Sequence, residues 1–228
     1  MPNWPESGLA RLRQGLYRFF AAALLYPDET RLALLAEASR FLDREGLHAF
    51  SFYGPWAQLR KALEALANQT AANVAAEYVR LFIVSPDGAL CPPQESFYLA
   101  GPGPATGLLL AQVELAYARM GIAPSADQQL LPDHASVELE AMAFLCAREA
   151  QARTEKAFGD VAKARVDQRA FLEQHLGRWF PAFARRVMTV GTGGFYGLVV
   201  AAADAFVEHD RDLLSLLTQR SEEAWQVS

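Results

Sequence analysis

Residues 131–140 read Leu131-Pro132-Asp133-His134-Ala135-Ser136-Val137-Glu138-Leu139-Glu140 and open an apolar-periodic segment that runs on to about residue 157. Proline and aspartate ahead of such a segment are helix-start signals, because an Asp side chain caps free N–H groups and acids suit the positive helix end. The spacing therefore predicts a helix beginning near Asp133, with Asp133 as its cap. His134 and Glu138, four apart, share a face of its first two turns. This gives a compact polar group on an apolar scaffold. Either Asp133 caps and His134 bonds Glu138 with no further role, or the group meets a ligand.

Working outward, the same helical period recurs. Leu9, Leu12, Leu16, Phe19, Phe20 and Ala23 place a helix over 6–25, stopped by Pro27-Asp28. Leu32, Leu35, Ala38, Ser39 and Leu42 place a second over 29–44, stopped by Gly46. Helices over 55–67, 70–84, 105–120, 161–177 and 195–217 follow, with a short one after Pro181 and a break expected near His209-Asp210. From Ser85 to Pro104 the period fails, and five prolines and three glycines make a long irregular loop. Loops of that length in a compact domain are uncommon and often functional. Within it, Glu95-Ser96-Phe97-Tyr98-Leu99 stays too apolar for a plain solvent loop. No Val/Ile/Thr alternation calls for a sheet. The expectation is an all-α, single-domain helical bundle over 1–228, with about nine to eleven helices and a Pro/Gly-rich loop at about 85–104.

Bulk properties narrow the function. Hydrophobic residues make up 52 % and charged residues 21 % of 228, which suits a folded chain. Twenty-one basic against 26 acidic residues leave a net charge of −5, which argues against a nucleic-acid binder and permits a basic partner. Cys91 and Cys146 are too few for a disulfide framework and lack zinc-ligand spacing, so two reduced thiols in a cytoplasmic protein are expected. The first residues lack a secretory signal pattern, and no apolar run is long enough to span a membrane.

The chemistry on offer is limited. His134 and Glu138, with Asp133 alongside and His175 in principle, would supply metal ligands, but HExxH is absent and no metal is expected. Ser96 and Ser136 lack a nucleophile-elbow context, and Gly191-Thr192-Gly193-Gly194 is neither a P-loop nor a dinucleotide fingerprint. No catalytic residue or cofactor is assigned. The alternative function is a small metal- or nucleotide-dependent enzyme using Asp133, His134 and His175. Peptide binding fits better: helices offer an apolar groove, and carboxylates at its mouth suit a cationic end of the partner.

Four segments in order resemble the TorD/DmsD/NarJ family of redox-enzyme maturation chaperones. Glu77-Tyr78-Val79-Arg80-Leu81-Phe82, followed by Cys91-Pro92-Pro93-Gln94-Glu95-Ser96-Phe97-Tyr98-Leu99, is similar to that family's E-Y-x-R-L-F … P-P-x-E-S-x-Y-L run. Pro132-Asp133-His134 is similar to its P-x-D-H segment, with Asp133 directly after the proline. His175-Leu176-Gly177-Arg178-Trp179-Phe180-Pro181-Ala182-Phe183 and the pair Phe195-Tyr196 resemble its later segments. Gln94 stands where the family often carries an aromatic. The resemblance implies an all-helical cytoplasmic chaperone, monomer or homodimer. Its implied partner is the N-terminal signal or signal-like segment of a molybdopterin oxidoreductase catalytic subunit. The subunit is held for cofactor insertion and, if exported, for twin-arginine proofreading. Asp133, His134, Glu138 and Glu95 are then expected to receive the segment's polar end, and Tyr78, Phe82, Pro92, Pro93 and Tyr98 its apolar part.

Overall fold

A computed structural model describes residues 6–66, 71–83, 89–123, 129–191 and 193–226, with side chains described from Gly8 to Gln219 except in the gaps between those ranges. Ten α-helices account for most of it: α1 Glu6–Ala23, α2 Glu29–Arg44, α3 Tyr53–Leu66, α4 Ala71–Tyr78, α5 Glu95–Leu99, α6 Pro104–Arg119, α7 Ala135–Thr154, α8 Phe158–Gln174, α9 Leu176–Val190 and α10 Phe195–Gln226. A 3₁₀ turn, Leu47–Ala49, follows α2, and a π turn, Val79–Ile83, prolongs α4. The described residues form no strand, only one isolated bridge between Gln94 and His134. The fold class and helix count match the sequence expectation.

Local chemistry sets most boundaries. The Asp28 carboxylate accepts from the Arg31 N–H at 2.7 Å and starts α2. Gly46, at φ 85°, ends α2 in the left-handed region that a Cβ disfavours. Three boundaries differ from the periodicity. The long loop is not wholly irregular, because α5 forms within it; residues 84–88 of that loop lie outside the described residues. Pro181 does not interrupt: it sits in the second turn of α9, where its missing N–H costs a single ladder bond. The break expected at His209-Asp210 is absent, and α10 runs straight through.

The core is one contiguous set of apolar side chains drawn from almost every helix, with Trp56, Trp179, Tyr17, Tyr196, Phe20, Phe180 and Phe183 fully buried. α7 is its axis. It lies along α1 on one side and α8 on the other, and α10 closes the bundle against α3, α8 and α9. Only its apolar residues were legible as a stripe, since α7 is buried on nearly all sides.

A buried ionic knot ties four of these helices. Arg13 of α1 donates through Nη1 to Glu149 of α7 at 2.9 Å and through Nη2 to Asp210 of α10 at 2.9 Å. Its Nε also bonds Asp210, and its Nη2 bonds Gln168 of α8. Tyr17 donates to Asp210 at 2.7 Å, and Arg165 donates to Glu149 at 2.8 Å. Arg13 and Arg165 compensate the buried carboxylates of Asp210 and Glu149, and Arg153 also reaches Glu149 at 3.5 Å. Asp210 is fully buried in this knot, and α10 continues through it.

Candidate functional site: a clasp built from distant motifs

Two strands of chain meet at the start of α7. The Glu95 N–H donates to the Asp133 carbonyl at 2.9 Å, and the Ala135 N–H donates to the Pro93 carbonyl at 2.8 Å. The Asp133 carboxylate accepts from the Ser96 N–H at 3.0 Å. Asp133 thus caps the foreign helix α5 rather than its own. The cap of α7 is His134, whose Nδ1 accepts from the Ser136 N–H at 3.1 Å. This corrects the sequence assignment of the cap. The geometric reason is that Pro132-Asp133 forms a turn, so the last extended residue before α7 is His134.

His134 and Glu138 do not pair with each other. Glu138 accepts from Trp179 Nε1 of α9 at 3.0 Å. Burial, together with the neighbouring Glu95 carboxylate, pushes the Glu138 carboxyl well above the usual range. Glu95 in turn lies 3.1 Å from Nδ1 of His175, the residue joining α8 to α9. The Tyr117 hydroxyl of α6 donates to the Pro132 carbonyl at 2.7 Å. Burial holds the His134 imidazole down to about 4, so the ring is neutral near pH 7 and free to accept its backbone bond.

Aromatic rings continue the clasp. Tyr98 stacks on Trp179 with centroids 5.5 Å apart and meets Phe183 at 6.1 Å. Phe183 meets Phe82, which meets both Tyr78 at 5.1 Å and Tyr196 at 5.0 Å. Glu77, one residue before Tyr78, accepts from the N–H groups of Phe195 and Tyr196 and so caps α10. Gly194 makes room for it: a Cβ there would fall 2.0 Å from Glu77 Oε1. The Leu81 carbonyl, in the π turn, accepts from the Cys91 N–H at 2.8 Å and brings the loop back to α4.

The nine residues expected from sequence are therefore gathered on one continuous unit, but most face inward. Asp133 and Glu138 are fully buried, Glu95 is 1 % and His134 3 % exposed, and Tyr78, Phe82 and Pro93 are buried. Pro92 and Tyr98 are half-buried. What the unit shows to solvent is Phe97, 44 % exposed under the Arg186 guanidinium at 5.3 Å, together with Leu99 and Leu131. Sequence reading passed over Trp179 and His175 as partners of Glu138 and Glu95, and Glu77 as the cap of α10, although all three lie in the quoted motifs. It missed the ionic knot altogether. Arg13 and Asp210 each sat on an inward-facing stripe, Arg13 beside Leu12 and Leu16 and Asp210 midway between Phe206 and Leu214, and that placement was the available signal.

The segments that converge here are the ones that carry the family resemblance. A family model described as the nitrate reductase delta subunit matches residues 51–185. The chain belongs to this family of TorD/NarJ redox-enzyme maturation chaperones. Its members include the chaperone protein TorD of Aeromonas salmonicida strain A449, 29 % identical over 219 residues that cover 92 % of this chain and 94 % of that one. The chaperone protein TorD of Vibrio cholerae serotype O1 is 29 % identical over 166 residues, covering 72 % and 73 %. A crystal structure described as a redox enzyme maturation protein from Archaeoglobus fulgidus superposes with a TM-score of 0.57 at 22 % identity, covering 86 % of this chain and 93 % of that one, and shows the same fold. No helix among the described residues is long and apolar enough to cross a membrane.

Proposed function

We propose that this chain is a maturation chaperone for the catalytic subunit of a molybdenum oxidoreductase. It acts in the cytoplasm, binds the subunit's N-terminal signal or signal-like segment, and holds the subunit until its cofactor is inserted. For an exported client the same hold delays twin-arginine transport. The observation that carries this reading is the convergence of all the family segments into one clasp around Asp133. Residues 77–82, 91–99, 131–138, 175–183 and 195–196 are far apart in sequence, and the unit they build turns Phe97, Leu99 and Leu131 to solvent.

Within this reading the buried members work as the frame. Asp133, His134, Glu138, Glu95, Tyr78, Phe82 and Pro93 fix the angle of α5, and the half-buried Pro92 and Tyr98 with exposed Phe97 and Leu99 offer apolar contact. The enzymatic alternative gains nothing from the geometry. His134 Nδ1 is taken by the α7 backbone and His175 Nδ1 by Glu95, and among the described residues no three His, Cys, Asp or Glu side chains are grouped to hold a metal.

The test has two stages. The tagged chain is used to capture its client from the native extract, and the captured subunit is identified by mass spectrometry. A synthetic peptide of that subunit's N-terminus is then titrated calorimetrically into the chain and into Asp133→Ala/His134→Ala. Saturable binding of the peptide, weakened about tenfold or more in the variant, is the expected result. Absence of any molybdenum oxidoreductase subunit among captured proteins, or no binding of its N-terminal peptide, sinks the reading.

A further inference from the structure

The buried carboxylates of the clasp lie beside one helix, α6, and that helix is lightly held. Of its 16 residues only Val113 and Tyr117 are buried, with Leu109 and Ala116 half-covered beside them. Its main neighbour is α5, itself five residues long. Side-chain hydrogen bonds tie it to the body through Tyr117, which donates to the Pro132 carbonyl at 2.7 Å, and at its C-cap, where Arg148 Nη1 donates to the Met120 carbonyl at 2.7 Å. Both ends turn on glycines in the left-handed region, Gly101 at φ 67° and Gly103 at φ 123° ahead of α6 and Gly121 at φ 71° behind it. A Cβ at any of the three would meet no atom within 4 Å. Packing therefore does not require glycine there; the backbone does, and such positions absorb the dihedral changes of a hinge.

The acids beneath are left incomplete. Asp133 and Glu138 are fully buried, yet Asp133 Oδ1 and Glu138 Oε1 have no hydrogen-bond partner among the described residues. A buried acceptor without a donor is costly, and the cost is relieved when a donor reaches it. Tyr117 is the part of α6 that covers them. Burial, and then the carboxylates of Glu138, Glu95 and Asp133, push its hydroxyl well above the ordinary range, which places it in the field of all three. Its ring lies 5.7 Å from Phe171, which meets His175 at 5.2 Å.

We propose that α6 is a hinged flap over the clasp, turning about Gly101, Gly103 and Gly121, and that it lifts to let a cationic end of the client's leading segment reach Asp133 and Glu138. This rests on the proposed function and adds the step that controls access to its site. With α6 down, the carboxylates serve as the frame of α5; with α6 up, their free oxygens face the client. The closed form lowers the apparent affinity by the fraction of molecules that are open. Loosening the flap therefore tightens binding, the opposite of what damage to a binding surface does.

Opening is measured first without a client. Val113→Cys places a thiol on the inner face of α6, while the native Cys91 and Cys146 are both fully buried and report opening of the remaining fold. Dithiodipyridine is expected to modify Val113→Cys about tenfold or more faster than either native thiol, and in the unmodified chain the amides of α6 are expected to exchange as a group ahead of those of α7. Labelling no faster than that of Cys146, or α6 amides that exchange no sooner than those of α7, overturns the flap. The N-terminal peptide of the captured client is then titrated into the parent chain, Tyr117→Phe and Arg148→Met, each checked for a cooperative melt. Both variants remove a tie of α6, and each is expected to bind about threefold or more tighter than the parent. Equal or weaker binding by the folded variants, with the parent still binding, overturns the flap and leaves the chaperone reading intact. Binding by the loosened variants alone supports the flap, and no binding by any of the three overturns both. Should a variant not fold, amide exchange in the unmodified chain decides.

Discussion

At the scale of single residues, His134 shows how a motif residue serves by staying neutral. Its ring caps α7 through Nδ1 and is pushed down to about 4 by burial, against about 6.5 when exposed. The folded form therefore resists the proton that the unfolded form accepts. The stability this contributes is complete above pH 6.5 and is lost as pH falls toward 4, with a slope of at most about 1.4 kcal/mol per pH unit. Urea unfolding at pH 7 and pH 5 is expected to show that slope in the parent chain and a shallower one in His134→Asn, which keeps a cap acceptor without a titrating ring. An unchanged slope would place the acid sensitivity elsewhere. Gly194 gives a second residue-scale test. A methyl group there collides with the Glu77 carboxylate that caps α10, so Gly194→Ala is expected to lower stability by about 1–3 kcal/mol in urea unfolding, and Gly194→Ala/Glu77→Ala to recover part of it.

At the scale of elements, α5 is a five-residue helix too short to stand alone. It exists because Asp133 receives the Ser96 N–H and Tyr98 lies on Trp179. Asp133→Ala is expected to cost about 1–3 kcal/mol locally and to speed amide exchange across Ser96–Ala100, while exchange in α8 and α10 stays as it was. Uniform acceleration throughout the chain would contradict a local role. This is also where the sequence was hardest to read. Periodicity places long helices because a repeating apolar stripe must be buried, and α1, α2 and α6 came out within two residues. It gives no sign of a helix held by partners far along the chain, so the stretch around Glu95 reads as loop. The motif residues were identifiable as a set, yet their orientation was not. A carboxylate such as Glu138 looks solvent-bound on a helical wheel until Trp179, 41 positions later, is seen to donate to it.

At the scale of the whole molecule, the Arg13 knot fixes how the bundle closes. Replacing Arg13 with Ala leaves Asp210 and Glu149 buried with fewer partners, so the loss is expected to reach about 3–5 kcal/mol in chemical unfolding. Arg13→Met with Asp210→Leu, which removes the charge on both sides, is expected to regain much of it, with Glu149 still held by Arg165 and Arg153. No gain from the pair would mean that the knot contributes through something other than charge balance. The all-helical class and the site's neighbourhood were legible from the chain because both depend on local pattern and motif order. The knot was not, because its partners stand 197 residues apart and only the folded bundle brings them together.

That separation has a consequence for synthesis. Arg13 leaves the ribosome 197 residues ahead of Asp210, so while that length of chain is made the cation waits without the anion it will bury against. A nascent copy has α1 to α9 before it has the latch that shuts the bundle. The bundle is thus unable to commit to its final shape until α10 has been made.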